Sequence, residues 1–327
     1  MKAAGIIRII VGLVIAVLLT AILVVLLTGN NIFSRLGWNN GWVDRFIDRT
    51  TYSSGGVNDD TNEVVVSDKA SVDATNIKKI NINWVAGSVN LRVGSGSEIV
   101  FSESSYRTLT DQQKMRYTIS DSGVLEIRYC QDLDNIFNWF SLDANMPAKT
   151  LTMEVPASLI GQLSDLDIET VSSNIDLSGV FGTETDLSSV SGEIRCTDIA
   201  TQELDLSTTS GSIVCENSTA KELSISNVSG SIRAEGEFEK ADAETVSGEV
   251  KISFANIPDK LKVNGVSGNI VVALPEGASF TAKLDTVSGS ISCAFAGTMG
   301  SDLVVVGDGG ADYNFSTVSG NLSIEKN

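Results

Sequence analysis

The stretch ELSISNVSGSIRAE, residues 222–235, decides the fold. Leu223 and Ile225, then Ile232 and Ala234, lie two residues apart with polar residues between them, the period of a strand that buries one face. Between the two pairs the parity shifts before the Val of Val228-Ser229-Gly230, so a corner or bulge belongs there. A unit of the form L-x-L-x-T-V-S-G-x-I-x-A recurs along the chain. It reads TVSSNI from Thr170, SVSGEI from Ser189, TTSGSI from Thr208, NVSGSI from Asn227, TVSGEV from Thr245, GVSGNI from Gly265, TVSGSI from Thr286 and TVSGNL from Thr317. With the glycine position as marker the series is Ser173, Gly192, Gly211, Gly230, Gly248, Gly268, Gly289 and Gly320, with intervals of 19, 19, 19, 18, 20, 21 and 31.

A fixed period near 20 residues means one supersecondary unit stacked on its neighbours, because no unit buries its apolar face alone. The expected architecture is an all-β solenoid with repeats of about 19–21 residues, most regular over 163–327. Inward side chains at marker +2 and +4 include Ile194/Cys196, Ile213/Cys215, Val250/Ile252, Ile270/Val272 and Ile291/Cys293. A second strand contributes Leu166/Ile168, Leu204/Leu206, Leu223/Ile225 and Leu261/Val263. The recurring glycines either take a φ that a Cβ forbids or lie where the coil is too narrow for a side chain. The serine before each, from Ser172 and Ser191 to Ser319, is expected to form a stacked hydroxyl ladder at roughly 4.8 Å spacing, hydrogen-bonded along the stack or, alternatively, offered as a sugar-binding row. The 31-residue last interval implies an inserted hairpin or longer loop, and the C-terminal NLSIEKN is read as an open end guarded by Glu325 and Lys326.

Upstream, the stretch around Val85-Ala86-Gly87 is a degenerate copy of the unit. Strands are expected in YTISDSGVLEIRY from Tyr117, with a hairpin turn at Ser122-Gly123, and in KTLTMEVPAS from Lys149, around a less regular insert at 132–145. If the strand ending in EIRYC is regular, Cys130 shares the face of Glu126 and Arg128.

At the N-terminus, Ile6–Thr28 is apolar except for Arg8 and long enough to span a bilayer as a helix. Lys2 and Arg8 put positive charge at its start, so the expected topology is a single-pass, uncleaved signal anchor in the plasma membrane, with the N-terminus cytoplasmic and the remainder extracytoplasmic; the alternative is a cleaved signal peptide. Trp38, Trp42 and Phe46 recur every four residues, as in an interfacial amphipathic helix or a loop among headgroups. The organisation read from this is an anchor at 1–29, a juxtamembrane segment and linker at 30–61, and a β-repeat domain at 62–327.

Composition narrows function. A formal charge of -18 disfavours nucleic-acid binding and suits cations or basic partners. Histidine is absent, which removes the commonest general base, the commonest zinc ligand and every Ser-His or Cys-His nucleophile pair. No compact acid–base pair stands out, so no enzyme activity is expected and no cofactor is called for. Asp167, Asp186 and Asp205 recur 19 residues apart at one repeat position. They are a candidate calcium row or, alternatively, a solvated acidic stripe. Cys196 and Cys215, also 19 apart, stack as free thiols or as a disulfide.

The T-V-S-G-x-I units, the K-x-L-x-M-E-V-P strand and the single N-terminal span resemble the bacterial "putative adhesin" family of β-strand-repeat proteins, a domain of unknown function. The resemblance covers roughly Asn62 to Asn327. It implies a single-stranded parallel β-helix and an extracytoplasmic location, and it supplies no catalytic residues. Some relatives look like accessory membrane proteins of cell-envelope stress systems. The expected function is a non-enzymatic, membrane-anchored surface binding module whose partners are the bilayer and a cell-wall polymer, surface ligand or membrane protein. The alternatives are an envelope-stress accessory protein and a structural surface spacer.

Overall fold

A computed structural model of the chain describes residues 63–66, 69–131, 146–179 and 181–327. The expected span at 6–28, the Trp38–Phe46 segment, the linker and the insert at 132–145 lie outside the described residues. Among the described residues no helix is long and apolar enough to cross a membrane.

Residues 62–131 and 147–327 form one compact unit. It is an all-β stack whose strands join in one hydrogen-bonded sheet system. From Asp165 to Leu274 chain order and stacking order agree. Ile175, Ile194, Ile213, Ile232, Val250 and Ile270 follow one another in parallel register. On the second strand of each layer Leu204, Leu223, Ala241 and Leu261 do the same. Period-two alternation thus becomes continuous inward rows, because parallel in-register strands place equal repeat positions above one another. The 18-residue interval has a local cause. The register shifts between Cys215 and Ser218, where Asn217 adopts a left-handed φ of 50° as the extra residue of a bulge.

The glycine ladder follows from close approach between layers. A Cβ on Gly211 would lie 2.1 Å from the carbonyl oxygen of Gly192; one on Gly230 would lie 2.1 Å from that of Gly211, and one on Gly248 1.9 Å from that of Gly230. Gly230 and Gly248 also have φ of +138° and +143°, whereas Gly192 and Gly211 keep ordinary φ values and still admit no side chain. Space between layers is therefore the common requirement, and φ an added one at some positions.

The serines before the glycines stack in register as expected, Ser210 on Ser229, Ser229 on Ser247, Ser247 on Ser267 and Ser267 on Ser319, and they do so as an outward row. Ser172, Ser191, Ser210, Ser229, Ser247, Ser267 and Ser319 are exposed. The residue two places earlier points inward, at the same parity as the leucine rows, and bonds the glycine-ladder carbonyls. Ser189 Oγ donates to Ser173 O at 3.3 Å, Thr208 Oγ1 to Gly192 O at 3.4 Å, and Asn227 Nδ2 to Gly211 O at 2.9 Å. A corner carbonyl turned away from the strand ladder needs a donor, and this side chain supplies it.

Both ends depart from chain order. Ala311–Ser319 and Leu322–Lys326, the last strands of the chain, lie between the layer of Lys260–Leu274 and that of Phe280–Cys293. The C-terminus is therefore an interior layer, which corrects its reading as an open end. The long interval holds the expected hairpin, Gly297–Met299 against Leu303–Val306, and the latter pairs antiparallel with Phe280–Lys283. At the other end Lys79–Gly94 is interior too. Asp165–Ser178 flanks it on one side, and Val124–Arg128 with Lys149–Pro156 flanks it on the other. Arg116–Ile119 and Val124–Arg128 form the hairpin expected around Ser122-Gly123. Aromatic side chains plug the two ends: Trp84 packs edge-on to Tyr129 with centroids 5.0 Å apart, and Phe280 stacks on Tyr313 at 5.3 Å.

Candidate functional site

The outward side chains of the leucine-row strands form one face. In consecutive layers Asp165 aligns with Glu184, Glu203 and Glu222, and Asp167 aligns with Asp186 and Asp205. With Glu169 this places eight carboxylates on four adjacent strands. Lys79 borders the patch on one side, pairing with Asp165 at 2.7 Å, and Lys240 borders it on the other, 3.8 Å from Glu222. Glu184, Glu203 and Glu222 are exposed, while Asp165 and Asp167 are buried. The spacing read from the sequence thus brings Asp167, Asp186 and Asp205 together in register. Among the described residues, however, no group of three or more Asp, Glu, Cys or His side chains has the geometry to hold a metal ion. Carboxylates in register at strand spacing repel one another, and Lys79 and Lys240 offset part of that repulsion at the two margins.

Further along the same face Lys262 lies 3.2 Å from Asp242 and 3.5 Å from Glu244. Burial pushes the Asp242 carboxyl up from its ordinary pKa, with Lys262 opposing. For Lys262 burial pulls the ammonium down, and the adjacent Asp242 and Glu244 charges outweigh it, leaving it raised. Lys262 thus neutralises part of the charge on this half of the face.

A second cluster, which the sequence did not single out, lies inside the N-terminal end. The Lys149 ammonium is fully buried and pairs with Glu103 Oε2 at 2.7 Å. It also donates to Gln113 O at 2.7 Å and to Tyr129 O, and stands 4.0 Å from the Tyr129 ring centroid and 5.0 Å from that of Trp84. Glu103 Oε1 accepts from Met115 N at 2.7 Å, and Trp84 Nε1 donates to Lys149 O at 3.1 Å. Burial lowers the Lys149 pKa, with Glu103 opposing, and burial raises that of Tyr129. Lys149 stands in register with Gly87, so this pair anchors the layer at which the glycine ladder begins. With its ammonium sealed from solvent, the cluster is structural.

Cys196 and Cys215 face each other in register and are free and buried. Burial pushes the Cys196 thiol well up and the Cys215 thiol up to about 11, so both are inert as nucleophiles. Cys130 is 3% exposed, which corrects the expectation that it shares the Glu126 and Arg128 face: the strand ends at Arg128 and the chain then turns inward.

The repeat layers span the residues that match a known family: 77–325 match the one described as Toastrack DUF4097, a domain of unknown function. The chain belongs to the Toastrack DUF4097 family. Three crystal structures resemble this Toastrack chain. One, named a "putative cell adhesion protein", is from Clostridium sporogenes; it is 14% identical, covers 81% of this chain and 99% of that one, and has a TM-score of 0.27. A "putative lipid binding protein" from Parabacteroides distasonis is 16% identical over 81% and 97% of the two chains, with a TM-score of 0.47. A "putative adhesin" from Bacteroides fragilis is 9% identical over 82% and 100%, with a TM-score of 0.44. No curated protein matches the Toastrack chain.

Proposed function

We infer that the protein is a non-enzymatic, membrane-anchored binding module. The apolar stretch 6–28 holds it in the plasma membrane, and the β-solenoid projects outside the cytoplasm and offers its acidic face to a surface ligand or wall polymer carrying positive charge or bridging cations. The observation that carries this reading is the register of Asp165, Glu184, Glu203 and Glu222 with Asp167, Asp186 and Asp205 on one face. Such a face, on a chain of net charge -18, concentrates cationic partners by long-range attraction. The sealed Lys149–Glu103 pair and the inert buried thiols support a non-catalytic role.

The test is cosedimentation of residues 62–327 with isolated cell envelopes, with calcium and with chelator. Saturable binding that weakens in high salt and in Glu184→Gln/Glu203→Gln supports the reading. No binding in either condition overturns it. The spacing of Trp38, Trp42 and Phe46 favours a second reading, an accessory protein of an envelope-stress system that meets a membrane partner there. Replacing residues 1–61 with an unrelated anchor separates the two, because only the second loses activity.

A further inference from the structure

The two ends of the solenoid are finished differently. At the N-terminal end both halves of the last parallel layer carry antiparallel covers, Glu98–Ser105 over Lys149–Pro156 and Arg116–Ile119 over Val124–Arg128. Those covers are themselves covered, by Lys69–Asp73 and Val64–Val65. At the opposite end Leu303–Val306 covers only Phe280–Lys283, and the last bond of this cover is Leu284 N to Asp302 O at 2.8 Å. The strand Ile291–Cys293 pairs with Leu322–Ile324 on its inner side. Among the described residues no strand pairs with its outer side.

This half-edge has its own chemistry. Ile291 and Cys293 continue the inward apolar rows and are half-buried, whereas Ile194 and Cys196 at the equivalent repeat positions are 0% exposed. The rows stop one layer short of burial. From Thr286 to Ser301 the sequence carries no charged residue, within a chain of net charge -18. Natural edges are guarded by lysine, proline or a bulge; Ile291–Cys293 itself carries none of these, the nearest lysine being Lys326 of the adjacent strand, folded over Phe295 at 5.4 Å from its ring centroid.

We propose that this edge is where a second copy of the chain docks, the two Ile291–Cys293 strands pairing antiparallel about a twofold axis at Ser292. The edge is self-complementary in the way such an isologous contact requires. In that register Ile291 of each copy lies opposite Cys293 of the other, so each supplies the apolar layer the other lacks. Charge argues for a second copy too: two chains of this charge repel wherever their acidic faces meet, and the stretch from Thr286 to Ser301, which carries no charge, lets them meet with less of that penalty. A basic partner, by contrast, is drawn to the acidic face and not to this edge. The proposal is independent of the binding function above.

The experiment uses the full chain in its own membranes and in detergent. A bis-maleimide spanning roughly 8 Å should join the two Cys293 thiols, which lie as diagonal neighbours about 7–8 Å apart in this register. Cys130, Cys196 and Cys215 are buried, and Cys293→Ser should abolish the product. In detergent, light scattering should give twice the chain mass. Ser292→Lys sets like charges directly opposite across the axis and should halve that mass while the domain stays folded by circular dichroism, its cost within one chain being the Ser292 Oγ bond to Leu322 O at 3.3 Å. Ser323→Lys adds the same charge one strand inward and should leave the dimer intact. A monomeric wild-type chain, a dimer that survives Ser292→Lys, or equal loss in both lysine variants overturns the proposal.

Discussion

Replacing Gly211 with alanine tests the reason given for the glycine ladder. The new Cβ would stand 2.1 Å from Gly192 O, where ordinary contact begins at 3.4 Å, so two layers must part by about 1.3 Å at the corner. Across that interface Ser210 N donates to Val190 O at 2.9 Å and Ile194 N to Ser212 O at 3.0 Å, and a displacement of that size takes such bonds beyond useful range. Overpacking of about 1–3 kcal/mol, with about 1 kcal/mol for each backbone bond weakened, is offset by about 0.4–1 kcal/mol from a stiffer unfolded chain. The net loss expected is about 2–4 kcal/mol, or roughly 5–15 °C in Tm for a domain of this size. Scanning calorimetry of residues 62–327 measures it. Ser173 is the internal control: it occupies the same ladder position, already carries a Cβ, and buries a hydroxyl with no hydrogen-bond partner. Ser173→Ala should move Tm by less than about 2 °C. A Gly211→Ala variant as stable as wild type, or a Ser173→Ala variant equally damaged, refutes close approach as the cause.

Three further outcomes are expected. Lys149→Met should cost about 3–5 kcal/mol in urea unfolding by stranding the buried Glu103 carboxylate, and Lys149→Met/Glu103→Leu should recover most of it. Folded stability should fall above pH 9: the Cys215 thiol is raised from 9.0 to about 11, so the stability it lends is whole below pH 9 and is lost as pH climbs through 11. At 1.36 kcal/mol per unit this amounts to about 3 kcal/mol, and Cys215→Ala should remove that part of the alkaline slope. Glu203→Lys, set between Glu184 and Glu222, should raise stability by about 0.2–1 kcal/mol at low salt, and the gain should shrink in 1 M salt.

Much of the solenoid was legible because parallel in-register stacking turns a sequence period directly into spatial rows. Asp167, Asp186 and Asp205 align for the same reason that Leu204 and Leu223 do. The inward polar row was legible in principle. Thr208 and Asn227 continue the parity of Leu204/Leu206 and Leu223/Ile225, and their polarity disguised them as surface residues. The Lys149–Glu103 pair left no local trace, since its members come from strands that meet only through the antiparallel cover. Nor did sequence specify the order of the terminal layers. A parallel edge offers backbone N–H and C=O groups that any other repeat satisfies, so TVSGSI from Thr286 and TVSGNL from Thr317 present interchangeable edges.

That interchange of layers should slow fraying from the ends of a stack coupled only between neighbours. In a one-dimensional array the terminal unit has one interface where an interior unit has two, so it opens first. Here each terminal layer is covalently followed or preceded by a layer placed inside it. Phe280–Cys293 is outermost, yet the chain leaving it forms the cover Leu303–Val306 and then returns as Ala311–Lys326 to fill the place between it and Lys260–Leu274. The strands Ala311–Ser319 and Leu322–Lys326 are thereby bonded on both sides, and loss of the outer layer pulls on the hairpin that covers it. Lys79–Gly94 does the same at the other end, held between Asp165–Ser178 and the Val124–Arg128 layer, with Lys149, Glu103 and Trp84 locking the crossing. The closure depends on backbone pairing for its strength and on aromatic plugs and one buried ion pair for its register.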